Sequence, residues 1–362
     1  MRKLYEQDII EILYGATLLG AGGGGSLKQG LDMIQGLKDD GEQIELDLLD
    51  VSEMRDDAYA VMVAGLGSPV AMLDPDMPRF GPDAVFAYRA FQKAFAAEGK
   101  KLEYLYSGEM GGFNTFTPML VAILSDKDPA KRIKFVDADG NGRAVPELNT
   151  TINAFYDHPP KPMGMGSLYG DEIIVYPTTD HSGEQIARQM CMLYNMRIGF
   201  ATWGMNKEEI TNILDVGCVT KAQKIGKAIL TAKETGSDVM DELKKAFEVR
   251  EFCRGTIEKL DLRAEGGFDF GTTVIKGDDA NGGSGAPPSQ SMTSSNLLVS
   301  FLISDKIPTR NGYTFKGWAD SPYEKPIYLR ADGYNWYCSV VNGQTRACLK
   351  NKSCTIKQVM RS

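Results

Sequence analysis

The segment from Phe135 to Leu148 (FVDADGNGRAVPEL) holds the densest group of side chains that could do chemistry. Asp137, Asp139 and Glu147 supply carboxylates, and Arg143 supplies a guanidinium. Carboxylates accept protons, bond to ring nitrogens or bind divalent cations, and a neighbouring arginine orients them through charge-assisted hydrogen bonds. The segment therefore predicts a site for a small polar molecule. Asp137, Asp139 and Arg143 are its catalytic candidates, and the two aspartates are also the candidates for holding a metal.

The first half of this segment also resembles a calcium-binding EF-hand loop, with Gly142 at the position of the invariant glycine. The twelfth position should supply a bidentate glutamate but is Leu148. The preceding residues, KRIKFV, lack helical periodicity, and Pro146 would interrupt the helix that should follow the loop. A short buried strand that ends in a polar loop is the better interpretation.

A second polar segment, EMGGFN, follows another predicted strand at Leu102 to Tyr106. Glu109 is the candidate general base, because a carboxylate at a buried strand end gains basicity through desolvation and nearby acids. Glycines in such a loop allow a ligand to approach the backbone closely. The candidates for binding substrate in the two polar segments are Gly111, Gly112, Asn114 and Glu147.

Four consecutive glycines separate two predicted helices. The first helix carries apolar residues at helical spacing, and the second begins with a capping box formed by Ser26 and Gln29. Free N–H groups at a helix start favour an anion or a carbonyl oxygen, so the run is a candidate for substrate binding. A tight turn between helices explains it equally well, since the strand of a dinucleotide fingerprint is missing. The four residues are Gly22, Gly23, Gly24 and Gly25.

Strands alternate with helices from residue 43 to residue 136, which predicts parallel neighbouring strands joined by right-handed crossovers. In such a sheet the loops after the strands lie at one edge. Gly65 to Ser68, Glu109 to Asn114 and Asp137 to Glu147 should therefore converge there and form a cleft. Aspartates at strand ends also serve as turn-formers, which is the competing explanation for Asp137 and Asp139.

The chain is predicted to combine α/β and α+β architecture in a bilobed fold. Residues 1–160 form an N-terminal α/β lobe with a largely parallel or mixed sheet and crossover helices. Residues 161–278 form a smaller α+β lobe after the Pro- and Gly-rich HPPKPMGMGS. Residues 279–295 read as a flexible linker and residues 296–362 as a small β module and tail.

The composition is that of an ordinary globular protein, with 43% hydrophobic and 24% charged residues among 362. A net charge of -8 without a basic cluster argues against nucleic acid or a membrane surface and favours a small-molecule substrate. At the N-terminus, acidic residues interrupt the apolar stretch that a signal peptide would need, so we expect the protein to be cytoplasmic. Only two histidines occur, which disfavours an ordinary zinc site. The cofactor is left unknown, with a divalent metal as one option, and homo-oligomerisation is left open.

With these residues in view, positions 1 to about 278 resemble the S-methyl-thiohydantoin desulfurase-like family, which is associated with hydantoin utilisation. The resemblance implies a bilobed fold with the site where the lobes meet. It also implies hydrolysis that removes methanethiol from an S-methylated thiohydantoin and leaves a hydantoin. Many members have no assigned activity, so the resemblance supports a site more strongly than a substrate. The motifs that carry it are LGAGGGG (Leu19 to Gly25), EMGGFN (Glu109 to Asn114), VDADGNGRAVPEL (Val136 to Leu148) and, more weakly, EGGFDFGTTVIKG (Glu265 to Gly277).

The C-terminal part departs from that family. Lys306 to Pro322, within about 287–326, resembles an internalin-type B repeat, a β-grasp module, and the second lobe would be cut short before it.

The reaction implied by the family needs an activated water and groups that hold a flat polar ring. In this hypothesis Glu109 is the general base, Asp137 and Asp139 bond the ring nitrogens, Arg143 orients them, Asn114 adds a hydrogen bond and the glycine N–H groups receive a ring carbonyl. The alternatives are a metal-assisted hydrolase, a non-catalytic small-molecule-binding or regulatory protein, and a surface adhesion protein that acts through the β repeat.

Overall fold

The computed structural model describes residues 1–67, 79–247, 249, 255–265, 268–277, 289–295, 345–346 and 358–359. They belong to two compact units, Met1–Glu248 and Val249–Ser362. The helices of the first unit are α1 (Glu6–Gly20), α2 (Leu27–Asp39), α3 (Pro82–Ala97), α4 (Phe116–Ser125), α5 (Ile152–Phe155), α6 (Asp180–Leu193), α7 (Lys207–Ile213), α8 (Cys218–Thr235) and α9 (Val239–Ala246). Its strands are β1 (Arg2–Tyr5), β2 (Glu45–Leu49), β3 (Tyr59–Gly67), β4 (Leu102–Ser107), β5 (Lys134–Asp139), β6 (Met163–Gly166), β7 (Glu172–Val175), β8 (Arg197–Asn206) and β9 (Asp215–Val216).

A mixed sheet of nine strands is the framework of the first unit in the described part of the chain. Its order is β1-β2-β5-β4-β3-β8-β6-β7, and β9 pairs with β5. The pairs β2/β5, β5/β4 and β4/β3 are parallel, and the flanking pairs are antiparallel. The predicted parallel arrangement of β2, β3, β4 and β5 is confirmed, and the fold is the predicted mixture of α/β and α+β.

Burial explains why these segments become strands and helices. Residues 60–65 of β3 are all buried, as expected for a central strand that is covered on both faces and reads as a continuous apolar run. Helix α1 packs closely against α8, where a Cβ on Gly15 would lie 1.8 Å from the carbonyl oxygen of Ala222. The predicted apolar face of α1 is fully formed, and its buried members are Ile9, Ile12, Leu13, Ala16 and Leu19.

The sheet continues past residue 160, where the sequence predicted a boundary between lobes. Strand β8 pairs with β3 in antiparallel fashion, and β6 and β7 follow on the outer side of β8. The chain up to Glu248 forms one compact unit. The predicted boundary near residue 160 therefore lies inside this unit. Glycines interrupt the apolar residues of β8, so the sequence pattern does not predict this strand. It becomes evident from its pairing with β3.

The second unit contains an antiparallel sheet of β10 (Gly255–Glu265), β11 (Phe268–Gly277) and β12 (Ser289–Ser295), in that order. The last seven residues of the segment predicted as a linker, 279–295, form β12, which pairs with β11. Two short strands, β13 (Thr345–Arg346) and β14 (Gln358–Val359), form a separate pair. The segment that resembles an internalin repeat, Lys306 to Pro322, lies outside the described residues. Within the described ranges, none of the helices combines the length and the apolar character that crossing a bilayer requires.

Candidate active site

The carboxyl ends of the parallel strands β3, β4 and β5 bring the predicted polar loops together. The Asn114 side chain accepts a hydrogen bond from Gly65 N (2.8 Å) and donates one to Gly65 O (3.2 Å), which joins the loop after β4 to β3. Gly140 N donates to Ser107 O at 2.8 Å, which joins the loop after β5 to β4. The end of β3, the loop after β4 and the loop after β5 therefore meet at one edge of the sheet, as expected from the strand order. Gly65 to Gly67, which were predicted to be loop, belong to β3. Ser68, at the end of the first predicted loop, lies outside the described residues.

Glu109 is held at this edge by hydrogen bonds to both oxygens of its carboxylate. Asn114 Nδ2 donates to Oε1 and the backbone N–H of Val145 donates to Oε2, each at 2.7 Å. Burial raises the pKa of Glu109, against the effect of these two hydrogen bonds and of the positive charges of Arg143 and Arg188. The result is a fixed carboxylate that is more basic than an exposed glutamate, which is the property expected of a general base.

The tetraglycine run packs directly on the loop that carries Glu109. The carbonyl oxygen of Gly24 accepts hydrogen bonds from Phe113 N (3.1 Å) and Asn114 N (2.9 Å), and Gly25 O accepts one from Gly112 N (3.0 Å). A Cβ on Gly24 would lie 2.5 Å from Met110 O. The run is therefore a close-packed turn between α1 and α2 whose carbonyl groups support the Glu109 loop.

The N–H groups of the same run keep the anion-binding interpretation open. Gly23 N donates to Gly20 O at 2.9 Å. Within the described residues, no protein acceptor is found for the N–H groups of Gly22, Gly24 and Gly25. All three have a positive φ, between 66° and 97°, which favours glycine. These three N–H groups are the members of the run that a ligand oxygen could use.

Asp139 is completely buried at the end of β5. Its Oδ1 accepts hydrogen bonds from Asn141 N (2.8 Å) and Gly142 N (2.6 Å), whereas Oδ2 has no hydrogen-bond partner in the described structure. Burial raises the pKa of Asp139 to about 7, although the Ser107 hydroxyl and the two N–H groups favour its ionised form. Asp139 is therefore divided between its neutral and ionised forms near neutral pH, so it could give or take a proton there.

Asp137 does not share this environment, because its carboxylate caps α8. Its Oδ1 accepts hydrogen bonds from Val219 N (2.9 Å) and Thr220 N (3.1 Å), and the Thr220 hydroxyl donates to Oδ2. Gly217 N also donates to the Asp137 backbone oxygen at 2.8 Å. These contacts correspond to a helix cap supplied from a distant strand. They correct the expectation that Asp137 bonds a ring nitrogen or a metal.

The two remaining members of the acidic segment differ in their relation to Glu109. Arg143 interacts electrostatically with Glu109 and Asp139, and burial lowers its pKa while these two carboxylates oppose that effect. Its backbone oxygen accepts a hydrogen bond from Met110 N at 3.3 Å. Glu147 is half-buried, and no described contact links its side chain to Glu109 or Asp139. Arg143 is thus brought to the site, whereas Glu147 is not.

Four side chains near the site were missed by the sequence analysis. Asp215 is the register partner of Asp139 across the β5–β9 pair, and the charges of both aspartates help burial to raise the pKa of Cys218. On α6, Arg188 and Glu184 bind the loop after β5. No local sequence pattern marks these four residues as part of the site. All four lie after residue 177, far along the chain from Glu109, and they reach the site only through strand pairing and helix packing.

A divalent cation shared by Asp137 and Asp139 does not fit this arrangement. The oxygens of Asp137 are engaged by the start of α8. Among the described residues, no group of three or more His, Cys, Asp and Glu side chains is arranged to hold a metal ion. The reaction steps proposed below therefore involve no metal ion.

Two comparisons place the chain among known proteins. Residues 7–177 match the N-terminal domain of the S-Me-THD-like family, and residues 178–300 match its C-terminal domain. The second match overlaps the predicted internalin-type repeat, which gains no support of its own. A crystal structure of a protein from Chromobacterium violaceum, solved by a structural genomics consortium, is similar with a TM-score of 0.61 and 25% identity, over 77% of this chain and 73% of that one. No curated protein matches the chain. With both family domains present across most of its length, the chain belongs to the S-Me-THD-like family.

Proposed function

We propose that this protein hydrolyses a small five-membered cyclic amide of the S-methyl-thiohydantoin or hydantoin type and releases methanethiol from the S-methylated ring. The observation that carries the proposal is the Glu109 carboxylate, fixed by Asn114 and Val145 N–H, with its pKa raised by burial. A hydrolase needs such a group to remove a proton from water at the moment of attack. Membership of the S-Me-THD-like family supports the substrate class.

The proposed reaction replaces a carbon–sulfur bond by a carbon–oxygen bond. Glu109 accepts a proton from water as the water oxygen attacks the ring carbon that bears the methylthio group. The bond from that carbon to sulfur then breaks, and sulfur leaves as methanethiol after taking up a proton. The ring carbon becomes the carbonyl carbon of a hydantoin. No oxidant or reductant is required, because water supplies the oxygen and both protons.

The other groups at the strand ends have complementary tasks in this proposal. Asp139 in its neutral form supplies the proton that the departing sulfur or the ring nitrogen takes up, since its pKa lies at about 7. Arg143 stabilises the ionised form of Glu109. The N–H groups of Gly22, Gly24 and Gly25 receive a ring carbonyl oxygen. Such donors stabilise negative charge that develops on oxygen in the transition state.

The central test is the substitution Glu109→Gln in the full chain. Glutamine has nearly the same shape but cannot accept a proton from water, so turnover should fall at least about 100-fold. Methanethiol release from S-methyl-thiohydantoins measures turnover, and calorimetry with the same compounds measures binding. Glu103→Gln is the matched control, because Glu103 lies at the opposite end of the same strand and pairs with Arg55.

Each outcome of this test has a definite meaning. Loss of turnover with retained binding in Glu109→Gln, and normal turnover in Glu103→Gln, would support the proposal. A fully active Glu109→Gln variant would remove Glu109 from the role of base. Binding without turnover in the wild-type protein would favour a non-catalytic binding protein. Stoichiometric metal in the purified protein, with turnover lost on chelation, would favour the metal-assisted alternative.

A further inference from the structure

Two side chains of helix α6 bind the backbone of the loop that follows β5 through hydrogen bonds. Arg188 Nη2 donates to the carbonyl oxygen of Pro146 at 2.9 Å, and its Nε donates to Glu184 Oε1 at 2.6 Å. The other oxygen of the Glu184 carboxylate accepts a hydrogen bond from Leu148 N at 2.9 Å. Glu184 is buried and Arg188 is half-buried, so water competes weakly for these contacts. The Arg188–Glu184 pair therefore holds the loop at two backbone positions.

These two positions lie beside the backbone group that holds Glu109. Val145 N donates to Glu109 Oε2 at 2.7 Å, and Val145 immediately precedes Pro146. On the other side of Val145, the Arg143 carbonyl accepts a hydrogen bond from Met110 N at 3.3 Å. The amide of Val145 is thus fixed between a contact with the Glu109 loop and a contact with α6. The contact of α6 with Pro146 O is therefore one residue away from the N–H group that holds Glu109.

Arg188 also acts on Glu109 through its charge. Burial raises the pKa of Glu109, and the positive charge of Arg188 is one of the effects that oppose this rise, together with Arg143, Asn114 and Val145 N–H. Helix α6 starts at Asp180, within the C-terminal family domain, while Glu109 belongs to the N-terminal family domain. Both groups lie in the first compact unit. The contact therefore joins the two family domains at the candidate site.

We propose that Arg188, oriented by Glu184, is a positioning residue that sets the geometry and the charge state of Glu109 from the C-terminal family domain. The proposal rests on the proposed function in one respect, namely that Glu109 is the catalytic base. Arg188 itself does not touch the substrate. It acts through Pro146 and Val145 on the carboxylate, and through space by its charge.

The test compares Arg188→Gln with Arg188→Lys in the full chain. Glutamine removes the charge, so the ionised form of Glu109 loses support and the acid limb of the kcat/KM profile should move to higher pH by about 0.5–1 unit. Because the loop also loosens, kcat should fall roughly tenfold while KM changes little. Lysine keeps the charge, so its acid limb should stay at the wild-type position even if kcat falls.

The matched control is Arg55→Gln. Arg55 pairs with Asp57 and Glu103 at the amino end of the parallel strands, away from the loops after their carboxyl ends. Its substitution should leave the pH profile and kcat unchanged. If Arg188→Gln lowers only the thermal stability and its pH profile superimposes on that of the wild type, Arg188 has a merely structural role and the proposal fails.

A second readout separates this proposal from the proposed function. Glu109 can be titrated by carbon NMR in protein labelled at the glutamate carboxyl carbon, with Glu109→Gln used to assign its signal. Arg188→Gln should raise the measured pKa of Glu109 whether or not turnover is found. Absence of turnover in the wild type together with this rise would defeat the proposed function and leave the positioning role standing. An unchanged Glu109 titration would overturn the positioning role.

Discussion

Asp139 illustrates how burial converts an ordinary carboxylate into a group that titrates near neutral pH. Its side chain is fully buried, and only one of its oxygens receives hydrogen bonds from the neighbouring loop. The other oxygen, Oδ2, is buried and has no hydrogen-bond partner among the described residues. Loss of solvation disfavours the charged form, which accounts for the pKa of about 7. Glu109 differs because both of its oxygens are hydrogen-bonded.

The raised pKa of Asp139 makes the stability of the fold depend on pH in a defined direction. In the unfolded chain an aspartate ionises near its ordinary value of 3.8, whereas in the folded protein it ionises at about 7. Its contribution to stability is therefore complete below its unfolded pKa and is lost as the pH rises towards 7. Asp139→Asn removes this dependence while its Oδ1 can still accept the N–H groups of Asn141 and Gly142.

We expect the difference in unfolding free energy between Asp139→Asn and the wild type to shift in favour of the variant by a few kcal/mol between pH 4.5 and 7.5. Urea unfolding at the two pH values measures this difference, in which groups common to both proteins cancel. Parallel pH dependences for the two proteins would show that Asp139 ionises near its ordinary pKa.

The glycine turn between α1 and α2 has no side chains of its own, yet it positions the loop that carries Glu109. The capping box of Ser26 and Gln29 starts α2 as predicted, with Gln29 N donating to Ser26 Oγ at 3.2 Å. The preceding glycines approach the 110–114 loop so closely that their carbonyl oxygens replace water as its acceptors. A side chain at Gly24 or Gly25 would collide with Met110 or Phe113 of that loop and would displace Asn114, which in turn holds Glu109.

Gly24→Ala tests this close approach, with Gly41→Ala as the matched control. Both glycines have a positive φ, 66° and 77°, so both substitutions incur a similar backbone strain of about 1 kcal/mol. A Cβ at Gly24 would lie 2.5 Å from Met110 O, whereas a Cβ at Gly41 would meet nothing within 4 Å. Gly24→Ala should therefore be more destabilising than Gly41→Ala by about 1–3 kcal/mol in urea unfolding, and it should also lower turnover. Equal losses of stability would indicate that the strain in φ is the whole effect.

At the scale of the first unit, a buried ion pair joins α3 to β8. Arg197 Nε donates to Asp83 Oδ1 at 3.2 Å, and their side chains are 3% and 0% exposed. Burial raises the pKa of Asp83, and the charge of Arg197 opposes that rise. The Arg197 guanidinium also lies 5.6 Å from the ring centroid of Phe80, and Phe80 packs on Phe113 of the Glu109 loop. The pair thus connects the antiparallel half of the sheet with the site.

Asp83→Leu should destabilise the first unit by about 3–5 kcal/mol, because it leaves the Arg197 charge buried without its carboxylate. Adding Arg197→Met to Asp83→Leu should recover part of that loss, since the double variant no longer buries a charge. Chemical unfolding followed by tryptophan fluorescence would report this, because Trp203 is buried in β8. A double variant less stable than Asp83→Leu would mean that other contacts of Arg197 dominate.

The amino-acid sequence by itself determined those features that depend on neighbours along the chain. Apolar spacing predicted the buried face of α1, and strands β2 to β5 followed from apolar patterns bounded by turn residues. The order of strands and helices then placed Glu109, Asn114 and Arg143 at one edge, because parallel strands end together.

The tertiary structure alone decided which of these polar groups serve the fold and which are left for chemistry. Asp137 and Asp139 are two residues apart and look equivalent in sequence, yet one caps α8, at Val219, 82 residues downstream, while the other keeps a buried oxygen that has no partner among the described residues. Arg188 and Glu184 reach the Glu109 loop only because α6 packs against it. Contacts between segments far apart in the chain depend on packing and strand pairing, and local sequence patterns carry no information about them.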